Sequence, residues 1–258
     1  MENITEFARV NVLLITNAIT LAALLFLILR YKTHLKVLWK IAEPNCHYKA
    51  RFLKIINRKG NLLDVGCGND SPYNTKTKYP DITYTGIDIG DYNQTTPNLA
   101  DEYIVVKPEG FAEAIENMAE SFDAVISAHN LEHCNDRDRT LDAMIKALKP
   151  GGYLFLSFPT EKSVDFPGPR KGTLNYYDDP THKDKPPDYE KIISTLKTNN
   201  MKVLFANKSY KPFPVYIVGF LLERESKKTK EVLWPWTWGY WGFETIIWGQ
   251  KVESKNGA

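Results

Sequence analysis

The sequence of 258 residues contains little cysteine and little excess charge. Its three cysteines, Cys46, Cys67 and Cys134, are odd in number, share no metal-ligand spacing and fit a reducing compartment. The formal net charge of +2 produces no strong field, and no stripe of Lys and Arg interleaved with aromatic residues occurs, so nucleic acid is not an expected partner. A chain of this length holds one α/β domain and an appendage rather than two large domains.

A glycine turn follows the first predicted strand, and it lacks the marks of a pyrophosphate site. Residues 61–70 predict a buried strand that runs into this turn, and Asp88 ends the next strand. Gly66 and Gly68 let a ligand approach bare backbone, and a carboxylate at the second strand can accept both ribose hydroxyls. The turn has no third glycine, and no Gly-Lys-Ser/Thr phosphate loop follows. The pattern predicts a nucleoside cofactor, with a dinucleotide oxidoreductase as the weaker alternative.

Four segments then follow one another in the chain. They are LLDVGCG at 62–68, YTGID at 84–88, SFDAVIS at 121–127 with NLEH at 130–133, and ALKPGGYL at 147–154. Together they resemble the ordered motifs of class I S-adenosylmethionine (SAM) dependent methyltransferases, over roughly residues 45–208. The resemblance implies an α/β fold with a Rossmann-like, doubly wound, seven-stranded sheet and helices on both faces. It also implies SAM as the cofactor.

The resemblance assigns cofactor contacts by motif position. It places Asp64, Gly66 and Gly68 at the methionine part of SAM and Asp88 at its ribose. Cys67, Ile89 and Ser127 complete the predicted cofactor site. A reactive thiol is the alternative for Cys67, but a glycine turn needs small residues, which favours a packing role.

Methyl transfer to a hydroxyl requires near-attack geometry and removal of a proton, so a general base is expected. His129 and His133 follow the fourth predicted strand, where the resemblance places the methyl group, and histidine titrates near neutrality. His182 and Asp179 belong to Asp-Pro-Thr-His, which is similar to a segment of methyltransferases that modify bacterial surface glycans. The alternatives are a wall residue for His129, a helix-cap or packing residue for His133, and a solvated loop for His182. No metal site is predicted, because these residues lack the tight ligand spacing of known sites.

Strands and helices alternate through residues 44–251, the predicted methyltransferase domain. The predicted strands are 61–65, 83–88, 102–106, 122–127, 153–158, 201–206 and 243–248, and the predicted helices are 44–57, 109–119, 137–148 and 188–200. This alternation predicts a parallel, doubly wound sheet. Residues 159–187 follow the fifth strand at the ligand-binding edge and predict an active-site lid, with a disordered loop as the alternative. Residues 252–258 predict a disordered tail.

Residues 211–241 predict an aromatic and basic insertion. Its apolar part, 213–222, is too short to span a membrane, and four indoles occur within residues 234–241. Indole rings with basic neighbours suit a membrane interface. A hairpin that covers the core is the alternative, and the sequence leaves both open.

The N-terminal region predicts a membrane anchor. Residues 10–29 are almost continuously apolar and, as a helix, reach about 30 Å, the thickness of a bilayer core. We therefore expect a short tail at 1–9, a transmembrane helix at 10–30 and a juxtamembrane linker at 31–43. Basic residues follow the apolar run, so the positive-inside rule predicts a single-pass protein with its catalytic domain in the cytoplasm. The acidic start disfavours the alternative of a cleaved signal peptide.

These observations predict a membrane-anchored SAM-dependent methyltransferase. Anchoring raises the effective concentration of acceptors that are also confined to the bilayer. A hydroxyl of a lipid-linked or cell-surface glycan is the first expected acceptor, from the His182 segment, and a quinone or other lipid is the second. A non-catalytic SAM-binding membrane scaffold is the alternative of another class, and the oligomeric state stays open.

Overall fold

The computed structural model describes residues 17–22, 25, 32–56, 59–68, 70–91 and 97–252. It contains two compact units, Met1–Pro44 and Asn45–Ala258. In the first unit, residues 17–22 are helical and helix α1 spans Lys32–Ala42. None of the helices in the described ranges is both long enough and apolar enough to cross a bilayer. Most of the predicted transmembrane helix, 10–30, and residues 253–258 of the predicted tail lie outside the described residues, so both stay predictions.

The second unit is built on a seven-stranded sheet with the strand order β3-β2-β1-β4-β5-β7-β6. The strands are β1 Asn61–Val65, β2 Thr83–Asp88, β3 Glu102–Val105, β4 Phe122–Ala128, β5 Leu148–Pro159, β6 Met201–Asn207 and β7 Glu244–Lys251. Strand β7 pairs antiparallel with β5 and β6, and the other pairs are parallel. The predicted Rossmann-like seven-stranded fold is confirmed.

The helices of this unit are mostly shorter than predicted. They are α2 Lys49–Phe52, α3 Ser71–Lys76, α4 Phe111–Glu116, α5 Arg137–Ala147, α6 Tyr189–Thr198, α7 Phe213–Thr229 and α8 Trp236–Trp241. The predicted helix at 44–57 is reduced to α2, preceded by a 3-10 turn at Glu43–Asn45. The first two residues of the predicted helix at 109–119 belong to another 3-10 turn, Pro108–Gly110. Its proline occupies the first turn, where no backbone N–H is needed.

Side chains on the two faces of the sheet form two apolar layers. Residues alternate between faces along a strand, so Leu63 and Val65 of β1 join the same cluster, which includes buried residues of α4 and α5. On the opposite face, the ring of Phe52 in α2 lies 5.4 Å from that of Phe155 and 5.7 Å from that of Trp248. Central strands covered on both faces explain the near-continuous apolar sequences of β1, β4 and β5.

Polar contacts hold residues 159–187, the predicted lid, in a defined conformation. Asp178 Oδ2 accepts hydrogen bonds from the backbone N–H groups of Arg170, Leu174 and Asn175. The buried Arg170 guanidinium donates to both carboxylate oxygens of Glu223 in α7, at 2.6 and 3.0 Å. This bidentate pair joins the segment to the insertion that follows β6. Action of the segment as a lid stays a prediction.

The insertion forms two packed helices, α7 and α8, where the sequence left open a membrane-interface segment or a hairpin that covers the core. Two glycines let the helices approach closely. A Cβ at Gly219 would lie 2.1 Å from the Trp236 carbonyl oxygen, and one at Gly239 would lie 2.4 Å from Val215 Cγ1. Trp236 is buried, with 2% of its surface exposed, whereas Trp234 is 54% exposed. The indoles therefore divide between covering the core and facing solvent.

Candidate active site

The turn after β1 brings bare backbone to the carboxyl edge of the sheet. Gly66 and Gly68 have φ values of 71° and 56°, in the left-handed region that L side chains seldom adopt. A Cβ at Gly66 would also lie 2.4 Å from the side chain of Asn130, which follows β4. Glycine is required at position 66 both by the backbone angle and by this neighbour.

Asp88 ends β2 beside this turn, and backbone groups hold its carboxylate in place. Oδ2 accepts a hydrogen bond from the Gly68 N–H at 2.7 Å, and Oδ1 accepts one from the Ile89 N–H at 2.7 Å. A carboxylate has about four lone-pair sites, so both oxygens keep capacity for a further donor. Asp88 is thus preorganised to accept hydrogen bonds from a pair of neighbouring hydroxyls.

Asp64 has a supporting position beneath the turn. It is 1% exposed, and its Oδ2 accepts hydrogen bonds from the hydroxyls of Ser71 and Tyr84, the latter at 2.6 Å. The Lys49 ammonium lies 3.5 Å from the same oxygen. These contacts compensate the buried charge and tie the first residues of α3 to β1.

Cys67 and Ser127, also predicted at the cofactor, are buried in the structure. Burial raises the pKa of the Cys67 thiol far above its usual range, and the carboxylates of Asp64 and Asp88 raise it further. A thiol with so high a pKa is a poor nucleophile, which supports the packing role. The Ser127 hydroxyl has no hydrogen-bond partner among the described residues.

A cavity of about 760 Å³ connects the glycine turn with the end of β4. Four predicted cofactor residues line it, namely Gly66, Gly68, Asp88 and Ile89, while Asp64, Cys67 and Ser127 are not among its lining residues. Two predicted catalytic residues, His129 and His133, line its other end, together with Thr181 of the predicted lid. The structure therefore joins most of the predicted cofactor site and part of the predicted catalytic site in one space.

His129 is fixed between two carboxylates. Its Nδ1 lies 3.0 Å from Glu132 Oε1, and its Nε2 lies 2.9 Å from Glu244 Oε1 at the start of β7. Burial opposes a charge on this imidazole, but the hydrogen bonds and charges of the two glutamates outweigh it and raise the pKa of His129 to about 10. With both nitrogens engaged and a proton retained at neutral pH, His129 cannot act there as a general base.

His133 is connected to the predicted lid through Thr181. Its Nδ1 lies 2.9 Å from the Thr181 hydroxyl, which donates to Asp179 Oδ1 at 2.6 Å. His182 is stacked on Tyr176, with ring centroids 4.4 Å apart, and its Nδ1 lies 2.6 Å from the Tyr176 carbonyl oxygen. His133 and His182 face each other, with ring centroids 4.8 Å apart. Of the four predicted catalytic residues, His182 and Asp179 support the cavity wall from behind Thr181.

Arg137, the first residue of α5, attaches the predicted lid to the end of β4. Its Nη2 donates to the Lys183 carbonyl oxygen at 2.6 Å and to the Tyr176 hydroxyl at 3.1 Å, and the same nitrogen reaches the Glu132 carbonyl oxygen. The planar guanidinium holds its five N–H donors in a fixed geometry, so one side chain can serve acceptors from several segments at once. Arg137 was missed because an arginine at a helix start gives no functional signal in the sequence.

Other residues of the site were also missed. Glu244 holds His129 from a distant part of the chain, although a single carboxylate in an otherwise apolar strand is a signal that could have been used. Asn130 touches the Gly66 turn, and Arg139 and Thr140 line the cavity from α5. The sequence does not show that these residues line the cavity, because their positions depend on where α5 begins relative to the end of β4.

A comparison with protein families matches residues 38–206 to the family model described as a methyltransferase domain. Curated relatives match a shorter stretch of the chain. One from Pseudomonas putida is 33% identical over 103 residues, which cover 37% of this chain and 43% of the relative, and is described as a ubiquinone biosynthesis O-methyltransferase. A mitochondrial protein of Mus musculus with the same description is 26% identical over 111 residues, 41% of this chain and 30% of the relative. The chain thus matches less than half the length of these relatives.

Solved structures share the fold at low sequence identity. A sarcosine dimethylglycine methyltransferase assigned in Galdieria sulphuraria has a TM-score of 0.55 at 16% identity, covering 85% of this chain and 87% of that one. A SAM dependent methyltransferase of Archaeoglobus fulgidus has a TM-score of 0.51 at 17% identity, covering 78% of this chain and 90% of that one. At these identities the likeness establishes the fold alone.

Proposed function

The chain belongs to the family of SAM-dependent methyltransferases, and on that premise we propose that it transfers the methyl group of SAM to a hydroxyl of a membrane-associated acceptor. One observation carries the proposal. The cavity of about 760 Å³ has the backbone of Gly66 and Gly68 with the Asp88 carboxylate at one end and His133 at the other. A nucleoside cofactor at the first end leaves room for an acceptor at the second.

The cofactor end supports SAM through hydrogen bonding and shape. Asp88 keeps lone pairs for the ribose hydroxyls, and the bare turn at Gly66 and Gly68 admits the amino acid part of SAM. SAM contains no phosphate, so the positive end of a helix is not needed as it would be for a pyrophosphate. SAM supplies the methyl group, and the residues of the chain orient the two reactants.

We assign to His133 the removal of the proton from an acceptor hydroxyl. The Thr181 hydroxyl donates to Asp179, so its oxygen accepts from the Nδ1–H of His133. That hydrogen bond leaves Nε2 of His133 with a free lone pair, the form a general base requires. His129 has neither nitrogen available and serves to hold β4 against β7.

For the acceptor, a quinone-type ring hydroxyl is better supported than the glycan hydroxyl expected from the His182 segment. The support comes from the curated relatives, whose descriptions name ubiquinone biosynthesis and O-methyl transfer. It is limited by their coverage, since the matched region is 37–41% of this chain and 30–43% of these relatives. No comparison supports a glycan acceptor.

The test is incubation of the purified protein with methyl-labelled SAM and a membrane extract, followed by mass spectrometry of labelled products. We expect a labelled lipid-soluble product from the wild type, and a loss of at least about 100-fold in turnover for His133→Ala, the range for general base catalysis. SAM affinity of this variant should stay within a few-fold of the wild type. His34→Ala, which removes an exposed histidine of α1, is the matched control.

The outcomes separate the classes of function. SAM binding without any labelled product indicates the non-catalytic scaffold. A labelled glycan instead of a quinone restores the acceptor expected from the His182 segment. Absence of SAM binding rejects the proposal as a whole.

We further propose that α7 rests on the bilayer surface. Its outer side carries exposed apolar residues at helical spacing: Phe213 at 75%, Ile217 at 41%, Phe220 at 56% and Leu221 at 43% exposure. The last turns carry basic residues, Arg224, Lys227 and Lys228, which suit the anionic headgroups of a cytoplasmic leaflet. Cytoplasmic orientation and the anchor at residues 10–30 belong to the same proposal.

Flotation with vesicles that contain anionic lipid tests this proposal. The double variant Phe213→Ser and Phe220→Ser should bind such vesicles more weakly than the wild type, because burial of apolar area contributes to binding. The matched control is Val105→Ser, which changes an exposed apolar residue, 52% exposed, on β3. Equal binding of both variants would refute the role of α7. The anchor is tested apart, by carbonate extraction of the full chain from membranes.

A further inference from the structure

Glu132, His133 and His182 form a cluster of potential metal ligands at the junction of β4 and the predicted lid. Each offers one ligand atom, and these atoms all lie within 4.8 Å of one another. Two belong to the 3-10 turn Leu131–His133, and the third comes from the segment after β5. Arg137 and Tyr176 help to hold this segment against the end of β4, together with the backbone hydrogen bond from Lys183 N–H to the Glu132 carbonyl oxygen.

Glu132 independently points to a ligand. Its side chain is completely buried, with 0% of the residue exposed. One carboxylate oxygen, Oε1, is bonded to His129, whereas Oε2 has no hydrogen-bond partner among the described residues. A buried carboxylate oxygen without a partner carries a large desolvation cost, so a cation or strong donor is expected beside it.

Hydrogen bonds leave both imidazoles in the form that binds metals. The Tyr176 carbonyl oxygen can only accept, so His182 Nδ1 must carry the proton and Nε2 keeps its lone pair. Thr181 donates its hydroxyl proton to Asp179, so His133 Nδ1 carries a proton as well and its Nε2 is also free. Donation through the far nitrogen to a carbonyl or hydroxyl is the usual outer support of a metal-binding histidine.

We propose that Glu132, His133 and His182 bind a divalent transition-metal cation of the Zn²⁺ type. Two imidazole nitrogens with one carboxylate oxygen suit Zn²⁺, Fe²⁺, Co²⁺ or Ni²⁺ rather than Mg²⁺ or Ca²⁺, which select oxygen ligands. Ligand atoms around a tetrahedral Zn²⁺ lie about 3.3 Å apart, given bonds of about 2.0–2.2 Å. The three ligand atoms, which lie within 4.8 Å of one another, would therefore move closer together when the cation binds.

Such a cation would add a direct link between two parts of the chain that hydrogen bonds already connect. It would fix the segment around His182 to the turn after β4 and close one wall of the cavity. His133 lines this cavity, so the cation would also face an acceptor hydroxyl and lower its pKa as a Lewis acid. With the cation bound, Nε2 of His133 is a metal ligand, so this activation, with loss of the proton to water, would replace proton removal by His133. This last role rests on the proposed function, whereas binding of the cation does not.

The experiment measures Zn²⁺ binding to the full, tag-free chain by competition with a chromophoric chelator, together with metal content after dialysis. We expect one Zn²⁺ per chain, and a loss of affinity of at least about 100-fold for His182→Ala and for Glu132→Gln. Thr181→Val removes the acceptor of the His133 Nδ1–H and should cost about 10- to 100-fold, the range for outer-shell partners. His34→Ala should bind Zn²⁺ as the wild type does.

Two further measurements keep the outcome decisive. Circular dichroism and SAM affinity establish whether each variant is folded. If His182→Ala does not fold, Thr181→Val provides the test in its place. Absence of stoichiometric Zn²⁺ binding in a protein that binds SAM overturns the metal site and leaves the proposed function intact. Binding that is unchanged in folded His182→Ala and Thr181→Val overturns it as well.

Discussion

His129 and His133 lie close together in the chain, and their hydrogen-bond partners give them different chemistry. Glutamates occupy both nitrogens of His129 and keep it protonated, whereas His133 keeps one nitrogen available. Both side chains are imidazoles, so the difference comes from the groups that contact each ring, two glutamates for His129 and the Thr181 hydroxyl for His133. Asp64 and Asp88 differ in the same way, since one is closed in by donors beneath the turn and the other lines the cavity.

The His129 contacts predict a pH dependence of stability. The pKa is raised to about 10 in the folded chain, so the stabilisation is complete below the unfolded value of 6.5 and is lost as pH rises toward 10. We expect the free energy of unfolding of the wild type, relative to His129→Asn, to fall by at most about 1.4 kcal/mol per pH unit over this range. Asparagine is chosen because residue 129 has a φ of 53°. Urea unfolding at pH 6.5 and 9.5 measures it, and parallel pH profiles would contradict it.

Asp88 predicts a loss of cofactor affinity. A hydrogen bond to a charged group contributes about 1.5–3 kcal/mol, so Asp88→Asn should raise the Kd of SAM about 10- to 150-fold. Asp81→Asn removes an equal charge from an exposed position just before β2 and should leave the Kd unchanged. Isothermal titration calorimetry on both variants provides the comparison. Equal affinities would remove Asp88 from the cofactor site.

At the scale of elements, the insertion after β6 shows how close two helices can approach. A side chain in place of Gly219 of α7 or Gly239 of α8 would collide with the partner helix. Trp238 of α8 then lies 4.9 Å from the His129 ring, and its Nε1 donates to the Thr173 carbonyl oxygen at 2.7 Å. The insertion thereby touches both His129 and the predicted lid.

Gly219→Ala should destabilise the fold by about 3 kcal/mol, the upper part of the usual range for overpacking. The new Cβ would lie 2.1 Å from a backbone oxygen, so the helices must separate rather than a side chain rotate. Gly110→Ala is the matched control, because a Cβ there meets nothing within 4 Å. Chemical denaturation of the two variants measures the difference. A cost for Gly219→Ala no larger than that for Gly110→Ala would show that the close helix contact is not needed.

For the whole molecule, the cofactor end and the acceptor end of the cavity come from opposite sides of β1. Strands β1 and β2 supply the glycine turn and Asp88, and β4 with the segment after β5 supplies the histidines. This is the edge where open α/β sheets bind their ligands, because consecutive loops diverge there. A ligand that contacts both sides should therefore stabilise the domain as a unit.

SAM should raise the stability of the chain in proportion to the logarithm of its concentration. At 100 times the Kd the gain is about 2.7 kcal/mol, which corresponds to a rise in Tm of about 5–10 °C for a domain of this size. Differential scanning calorimetry measures the shift. Asp88→Asn at the same SAM concentration should show a much smaller one, and identical shifts would argue against the assigned site.

The sequence alone determined the sheet and the cofactor turn. Strand positions follow from apolar runs bounded by turns. Gly66 and Gly68 follow the first strand and Asp88 ends the second, and adjacent parallel strands bring these positions to the same edge of the sheet. The predicted strands 61–65 and 83–88 match β1 and β2, because such strands are buried on both faces and read clearly. Local signals of this kind need no knowledge of distant contacts.

Only the tertiary structure decided which side chains share a site and in which protonation state. Glu244 meets His129, and Glu132 meets His182, across long separations in the chain that no local pattern encodes. The prediction of no metal site relied on the spacing of ligands along the sequence, whereas the proposed site depends on the distance between ligand atoms in the folded chain. Hydrogen-bond partners then separate a histidine that holds its proton from one that can accept it, because burial and nearby charge, rather than residue type, set the pKa.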